Sequence, residues 1–560
     1  MSQFNPGSQP IILLKEGSSQ SSGKDAQKNN IMAAKLIAEI VKSSLGPRGM
    51  DKMLVDSMGD VTITNDGATM LKEIDVQHPA AKMLVEVSKT TDSEVGDGTT
   101  SAVILSGMLL EKAEELIDKD VHPTVIVNGY KRASVQALEA LKKISEKIPD
   151  GDRKWLIKVA HTSMQSKLIA RAASDLAPIV VDSVLAVAEK SNKQYTVDID
   201  NIKIEKKPGG SITDTKMVSG IVLDKEVTHS GMPTKVSNAK LALVSAPIEI
   251  EKPEFDAKLN INDPTMMKKF LDEENDLLKN MVDSIKSVGA NVLICQKGID
   301  DVAQHYLAKY GILAVRRAKE SDMTKLAKAT GGRIINNLDD LSKKDLGQAK
   351  LVEERKVEED KWVFIEGCKD PKAVTILVRG GQQRVVDEVE RSMNDSLMVT
   401  KDVLEKPSIV AGGGASETEA AQHVFKWAEK LSGREQLAAQ KFAEALESIA
   451  VTLASNAGLD PIDAQVELRS KHSGGAKGKW FGVDIHESKI RDMYQNDVFE
   501  PVVVKEQIIK AATEATSMIL RVDDVIATGK SSAPPMPPGG MGGMGGMGGM
   551  GGMGGMPMGM

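Results

Sequence analysis

The sequence predicts a multidomain chain of mixed α+β and α/β class: a mainly helical domain built from both chain ends, with an α/β domain inserted between them. Three observations predict this. Long helical patterns fill the first 145 residues and return after about residue 405. Between them, apolar runs such as "NVLICQ" and "ILAVRR" alternate with helical stretches such as "DDVAQHYLAKY" and "DMTKLAKATG", as in a parallel sheet with right-handed crossovers. At 560 residues the chain is too long for one hydrophobic core, and its length suggests three or four domains. An insertion of this kind brings the chain ends close together.

The elements follow in order. The opening "MSQFNPGSQP" lacks the basic-then-apolar layout of a signal peptide. Residues 24–45 set Ala33, Ile37, Ile40, Val41 and Leu45 at helical spacing, and "GPRG" stops the helix. "KMLVDSMGDVTITNDG" reads as a hairpin whose turn holds Gly59 and Asp60; its second arm alternates Val61 and Ile63 with Thr62 and Thr64. Asn65-Asp66-Gly67 opens another helix, a further helix runs into "TDSEVGDGTT", and a long helical pattern resumes at about Thr99. In the middle, Asp263 can cap and Pro264 can start a helix with Met267, Leu271, Leu278, Met281 and Ile285 on one stripe, interrupted by Glu274. "ETEAAQHVFKWAEKL", "REQLAAQKFAEALESIAVTLASNAG" and "KEQIIKAATEATSMILRVDDVI" are the closing helical patterns. Residues 531–560 are a Gly/Met/Pro tail with nine of the 28 methionines, too poor in buriable surface to order; it reads as an inert end or as a weakly adhesive brush.

Composition excludes several classes of function. A formal charge of -7 gives no reason to expect nucleic acid as the main partner. Two cysteines, Cys295 and Cys368, rule out a disulfide framework and suit buried thiols in a reducing compartment. No apolar run approaches the ~20 residues that cross a bilayer. The expectation is a soluble cytoplasmic protein with no membrane partner. Aromatics are only 3%, so packing rests on aliphatic residues and Met.

The loop "GDGTTS" carries the chemistry. Its glycines let backbone N–H groups approach an anion, the following helix offers its positive end, and Thr99, Thr100 and Ser101 add hydroxyls. Asp97 would repel phosphate unless a cation stood between them, and Mg²⁺ is often held by one carboxylate plus substrate phosphates. An ordinary helix cap with common turn residues is the competing reading. "LGPRG" and "NDGAT" repeat the pattern of a glycine turn at the end of a regular element. There is no GxxxxGK[ST] loop, no kinase signature and no zinc-ligand cluster, and the eight histidines are scattered. A metabolic kinase or ligase, and a passive holdase, stay open on these residues alone. The first would need an acceptor site, for which the middle shows no clustered His, Cys or Arg.

"LGPRGMDKML", "TNDGAT" and "GDGTTSAV", in this order and spacing, resemble the ATP-binding equatorial domain of group II chaperonins, the family of the archaeal thermosome and the eukaryotic TCP-1 ring complex. The resemblance continues through "AQHYLAK", "LVEERK", "AGGGASETE", "SGREQLA", "NAGLDPID" and "LRVDDVI", from about Pro10 to about Val525; the Gly-Met tail looks more like thermosome subunits. It implies a mainly helical equatorial ATPase domain (1–147 and 408–530), an intermediate hinge domain crossed twice (148–214 and 376–407), an α/β apical domain (215–375) with a helical lid protrusion at about 247–280, and a tail (531–560). It implies a double ring of identical or sister subunits that encloses non-native polypeptides using ATP and Mg²⁺. Residue by residue, it implies that Asp97 binds the metal and that Gly98, Thr99, Thr100 and Ser101 surround the phosphates. Leu45, Gly46 and Pro47 match the first nucleotide loop. Asp66 and Asp395 are the implied catalytic carboxylates, and Lys167 the sensor of the terminal phosphate. Gly413 and Gly414 approach the ribose, while Asp484, Glu500 and Lys505 serve the ribose and base side. Three positions depart from the family pattern: Asp497 stands where glycine is expected, Asn394 where His is common, and Ser93 where an acidic residue is usual.

Overall fold

The computed structural model describes residues 19–192, 194–250, 264–368, 372–475 and 477–527. The opening segment, Asp263, much of the expected lid strand region and the Gly/Met tail lie outside them. Two units separate by contact. In the smaller, formed by the chain ends up to Ala26 and from Asp523, the strands Ser19–Ser22 and Asp524–Ala527 pair antiparallel, Ser19 opposite Ala527. The expected last helix therefore stops at Leu520, and "DVIA" is strand.

The larger unit spans Gln27–Val522. Its first part carries α1 (Gly23–Lys42, begun in the smaller unit), a hairpin of Lys52–Val55 and Val61–Thr64, α2 (Gly67–Glu73), α3 (Pro79–Val95), α4 (Thr99–Ile117) and α5 (Pro123–Ile144). Ile37 and Val41 of α1 face inward as the spacing requires, but Ile40 is 41% exposed and Leu45 lies beyond the helix end. The stripe is thus narrower than the sequence pattern, with Met32 and Leu36 also outward. One apolar core is assembled from positions 31–141 and 420–520, so segments almost 300 residues apart in sequence share it.

Next come α6 (Arg153–Gln165) and α7 (Ala173–Val187), then a three-stranded sheet in which Ile202–Pro208 runs parallel to Val374–Gly380, and Lys216–Val218 pairs antiparallel on the other side. The strand Val374–Gly380 runs across position 375, where the sequence suggests a domain border. Beyond it lies a mixed sheet. Lys235–Val244 is flanked by parallel Val292–Cys295 and, next, Leu313–Val315, the expected strand–helix alternation, with α9 (Asp301–Lys309) and α10 (Glu320–Thr330) as crossovers after α8 (Pro264–Ser287). Gly347–Val357 and Asp360–Glu366 extend it antiparallel. Both faces are covered: Leu241 and Leu243 enter one core, Ala242 and Val244 the other, which explains unbroken apolar runs instead of alternation. On α8, Leu278 and Ile285 are buried and Met281 half-buried, whereas Met267 and Leu271 are exposed: the two halves of the stripe differ.

The chain returns through α11 (Gln383–Glu405) and strand Ser408–Ala411, then α12 (Ala415–Ala428), α13 (Gly433–Asn456), α14 (Pro461–His472) and α15 (Val502–Leu520). Ser408–Ala411 pairs with Glu146–Lys147 on one side and Phe499–Pro501 on the other, tying three distant segments together.

Candidate functional site

A cavity of about 720 Å³ opens where these returning segments meet the first helices. Its wall includes Leu45, Gly46, Pro47, Asp66, Asp97, Gly98, Thr99, Thr100, Ser101, Lys167, Gly413, Gly414, Asp484, Glu500 and Lys505. Every site residue expected from the sequence is there except Asp395, which stands one contact behind, ion-paired with Lys167.

Local sequence explains the near wall. Asp66 caps α2: one carboxylate oxygen accepts from Thr69 N (2.7 Å), the other from the Thr99 hydroxyl (3.1 Å), which couples two motif loops. Gly96 closes α3 at φ 66° and Gly98 precedes α4 at φ 77°, both in the left-handed region that glycine enters at little cost. Because Gly98 has no side chain, no cap bond satisfies the first amides of α4; α12 likewise begins at a left-handed Gly414 without a side-chain cap. The N-terminus of α4 thus brings N–H groups without a side-chain cap and a positive dipole end to the cavity, and the Gly413–Gly414 turn ahead of α12 lines it as well, although Ala415 N is already engaged by Gly412 O (3.2 Å).

Asp97 is oriented from both sides. Oδ1 accepts from Gly98 N at 2.7 Å and Oδ2 from the Ser163 hydroxyl of α6 at 2.9 Å. Among the described residues no cluster of three or more His, Cys, Asp or Glu could hold a metal ion by itself. A lone carboxylate beside anion-binding amides fits a hard cation that arrives with phosphate oxygens and not one caged by protein. Asp92, one turn before Gly96, has its carboxyl raised by burial and then by Asp66. Buried Glu388 on α11 is raised by burial against the pull of its partner Arg391.

The far wall is more constrained than its residue types suggest. Asp484 accepts from His486 N and Glu487 N through Oδ1 and from Asn496 Nδ2 (2.9 Å) through Oδ2, so it shapes a turn. Lys505 is only 5% exposed, and its ammonium bridges Glu417 (2.7 Å) and Glu500 (2.5 Å). Burial opposes that charge, yet the two carboxylates hold the lysine above its ordinary range. Glu500 is itself pushed up, by burial foremost. Lys505 therefore fixes the wall from within.

Sequence reasoning missed α6 and named only Lys167, two residues beyond its end. Lys158, His161, Thr162, Ser163 and Gln165 all line the cavity. A fourfold spacing back from Lys167 reaches Ser163, the one available signal. Asp497 has φ 58°, which accounts for the glycine expected there; aspartate is among the few side chains that tolerate that region. Asn394 is exposed, and nothing in the structure explains its replacement of histidine.

A model of the TCP-1/cpn60 chaperonin family matches residues 37–530. A thermosome subunit beta of Sulfurisphaera tokodaii is 57% identical over 523 residues, 93% of this chain and 95% of that protein. A thermosome subunit alpha of Archaeoglobus fulgidus is 57% identical over 518 residues (92% and 95%), and a thermosome subunit of Pyrococcus horikoshii 54% identical over 522 (93% and 95%).

Proposed function

The chain belongs to the TCP-1/cpn60 chaperonin family and is an ATP-dependent chaperone with ATPase activity; from that premise we propose how its own residues bind and cleave Mg-ATP. ATP enters the cavity with its phosphates at the uncapped start of α4. The meeting of the α4 N-terminus, Asp97 and the Gly413–Gly414 turn on one cavity is the observation that carries the assignment. Thr99, Thr100 and Ser101 add hydroxyl donors, and Leu45, Gly46 and Pro47 close the opposite side. Gly413, Gly414 and Asp484 shape the ribose side, with Glu500 held in place by Lys505. Asp97, oriented by Ser163, would hold Mg²⁺, which when bound neutralises developing phosphate charge.

Asp395 takes the proton of the attacking water with Asp66 beside it. In the present arrangement its carboxylate is engaged by Lys167. Catalysis therefore needs Lys167 to exchange Asp395 for the terminal phosphate. Since Asp395 rides on α11, the site is complete only when that segment closes onto the nucleotide, which couples hydrolysis to a hinge. Residues 1–147 with 408–530 act as the nucleotide domain, 148–214 with 376–407 as the hinge, and 215–375 as the client-binding domain. The shared core of positions 31–141 and 420–520 supports the first of these. The exposed Met266, Met267, Phe270 and Leu271 on α8 suit apolar contact with lid neighbours or clients. The working particle is a cytoplasmic double ring of identical or sister subunits.

In Asp395→Ala, ATP binding is expected to persist while turnover falls by orders of magnitude; near-normal turnover would refute the assignment. Size-exclusion mass near a megadalton separates this reading from a monomeric or dimeric kinase.

A further inference from the structure

Position 497 adds a side chain where the family resemblance leads one to expect none. Asp497 holds a left-handed backbone and lines the nucleotide cavity, so its carboxylate sits at the site itself. It does not hang free: Oδ1 meets the Lys158 ammonium of α6 at 2.8 Å. Both side chains keep contact with solvent (37% and 55% exposed), which puts the pair at the rim of the cavity and not in its floor.

The pair belongs to a larger seam. Phe499 N donates to the Thr162 hydroxyl at 3.3 Å, one helical turn along α6 from Lys158. That hydroxyl has one proton to give, to Lys158 O (3.0 Å) or to Asp497 O (3.4 Å). The Lys158 ammonium also lies over the rings of Trp155 (4.9 Å) and Phe499 (5.9 Å), which restricts the lysine to this orientation. At its other end, α6 holds Asp97 through Ser163 and leads directly to Lys167 and its partner Asp395. One helix is therefore fastened both to the phosphate side of the site and, through Lys158 and Thr162, to the 497–499 turn.

We propose that the Lys158–Asp497 ion pair is a strap across the rim of the nucleotide cavity, and that Asp497 is a positioning residue that slows nucleotide release. The inference rests on the nucleotide assignment above. A nucleotide leaving the cavity passes walls that the strap keeps together, so breaking the pair lets α6 and the turn separate sooner. The opposite charges of the pair cancel at long range, so its effect falls on departure and not on electrostatic capture.

The test is the release rate of a fluorescent N-methylanthraniloyl ADP with Mg²⁺ from the assembled full-length protein, chased with excess unlabelled ADP. Asp497→Asn keeps a residue that tolerates the left-handed region and removes the charge. Asp497→Gly relaxes the backbone as well, and Lys158→Met keeps the stem. Each single variant is expected to release nucleotide about three- to fivefold faster, the upper range for an exposed ion pair. The double variant Lys158→Met/Asp497→Asn should be no faster than either single, because both remove the same contact. Simple charge effects predict instead that Asp497→Asn tightens and Lys158→Met weakens binding of a polyanion. Opposite changes of that kind, unchanged release in all variants, or a double effect equal to the product of the singles overturns the strap. If labelled ADP does not bind the wild-type protein at all, it is the nucleotide assignment that fails.

Discussion

Gly96→Ala is the smallest change that separates binding from hydrolysis. A Cβ built on Gly96 would stand 2.4 Å from Met398 Cβ and 2.8 Å from its Cγ, with Asp395 Cα at 3.7 Å. Ordinary contact begins at 3.4 Å, so something must yield by about 1 Å. Met398 Cβ is fixed to the backbone and cannot rotate away, so α11 itself must shift, carrying Asp395 one turn earlier. A displacement of about 1 Å at a catalytic group costs roughly 10²-fold in rate. The left-handed φ of 66° adds about 1–2 kcal/mol of backbone strain for an L-residue. Steady-state phosphate release should therefore fall about 100-fold, while Mg-ADP affinity, which does not need Asp395, falls by less than about tenfold. Adding Met398→Gly removes the obstructing carbon and should restore at least about tenfold of the turnover, despite about 1 kcal/mol of lost helix propensity. Met398→Ala keeps that carbon and should restore nothing. Turnover of Gly96→Ala within about threefold of wild type would refute the argument that α11 approaches this loop as tightly as described.

Three further outcomes follow from other sites. Lys505→Met strands the buried Glu417 carboxylate beside the half-buried Glu500 and should cost about 3 kcal/mol of stability in denaturant unfolding, with partial recovery when Glu417→Gln is added. Burial pushes the Asp402 carboxyl up to about 7 against the pull of Lys401, and its Oδ2 has no hydrogen-bond partner among the described residues. Below about pH 4 this group is protonated whether folded or not; between about pH 4 and 7 the unfolded chain sheds a proton that the fold retains, so stability falls as pH rises, by up to about 4 kcal/mol in all. The melting temperature of Asp402→Asn should therefore gain on wild type from pH 4 to pH 8, and a constant gap would contradict the shift. Deleting residues 247–271 should spare ATP hydrolysis and abolish protection of a bound client from protease; loss of both would mean that this segment serves as core.

What the sequence made legible was local. The Asn65-Asp66-Gly67 turn that opens α2 and the glycine turn at Gly96–Gly98 between α3 and α4 each depend on residues within one turn, so their types announce them. The middle sheet was legible because burial on both faces leaves continuous apolar runs. What stayed hidden depends on contacts across hundreds of positions. Nothing near Lys505 says that its charge is consumed by Glu417, and nothing near Ser163 says that it orients Asp97. Ile40 fits a helical stripe as well as Ile37 does; only the packing partners decide which of them turns inward. The helical reading of "RVDDVI" failed because Asp524–Ala527 finds a strand partner at the opposite chain end.

The cavity wall draws on positions 44–101 and on positions 413–505, and neither stretch makes a pocket without the other. A ribosome releases the first about three hundred residues ahead of the second. During synthesis, then, every copy of this folding machine passes through a long interval in which it cannot grip its own fuel.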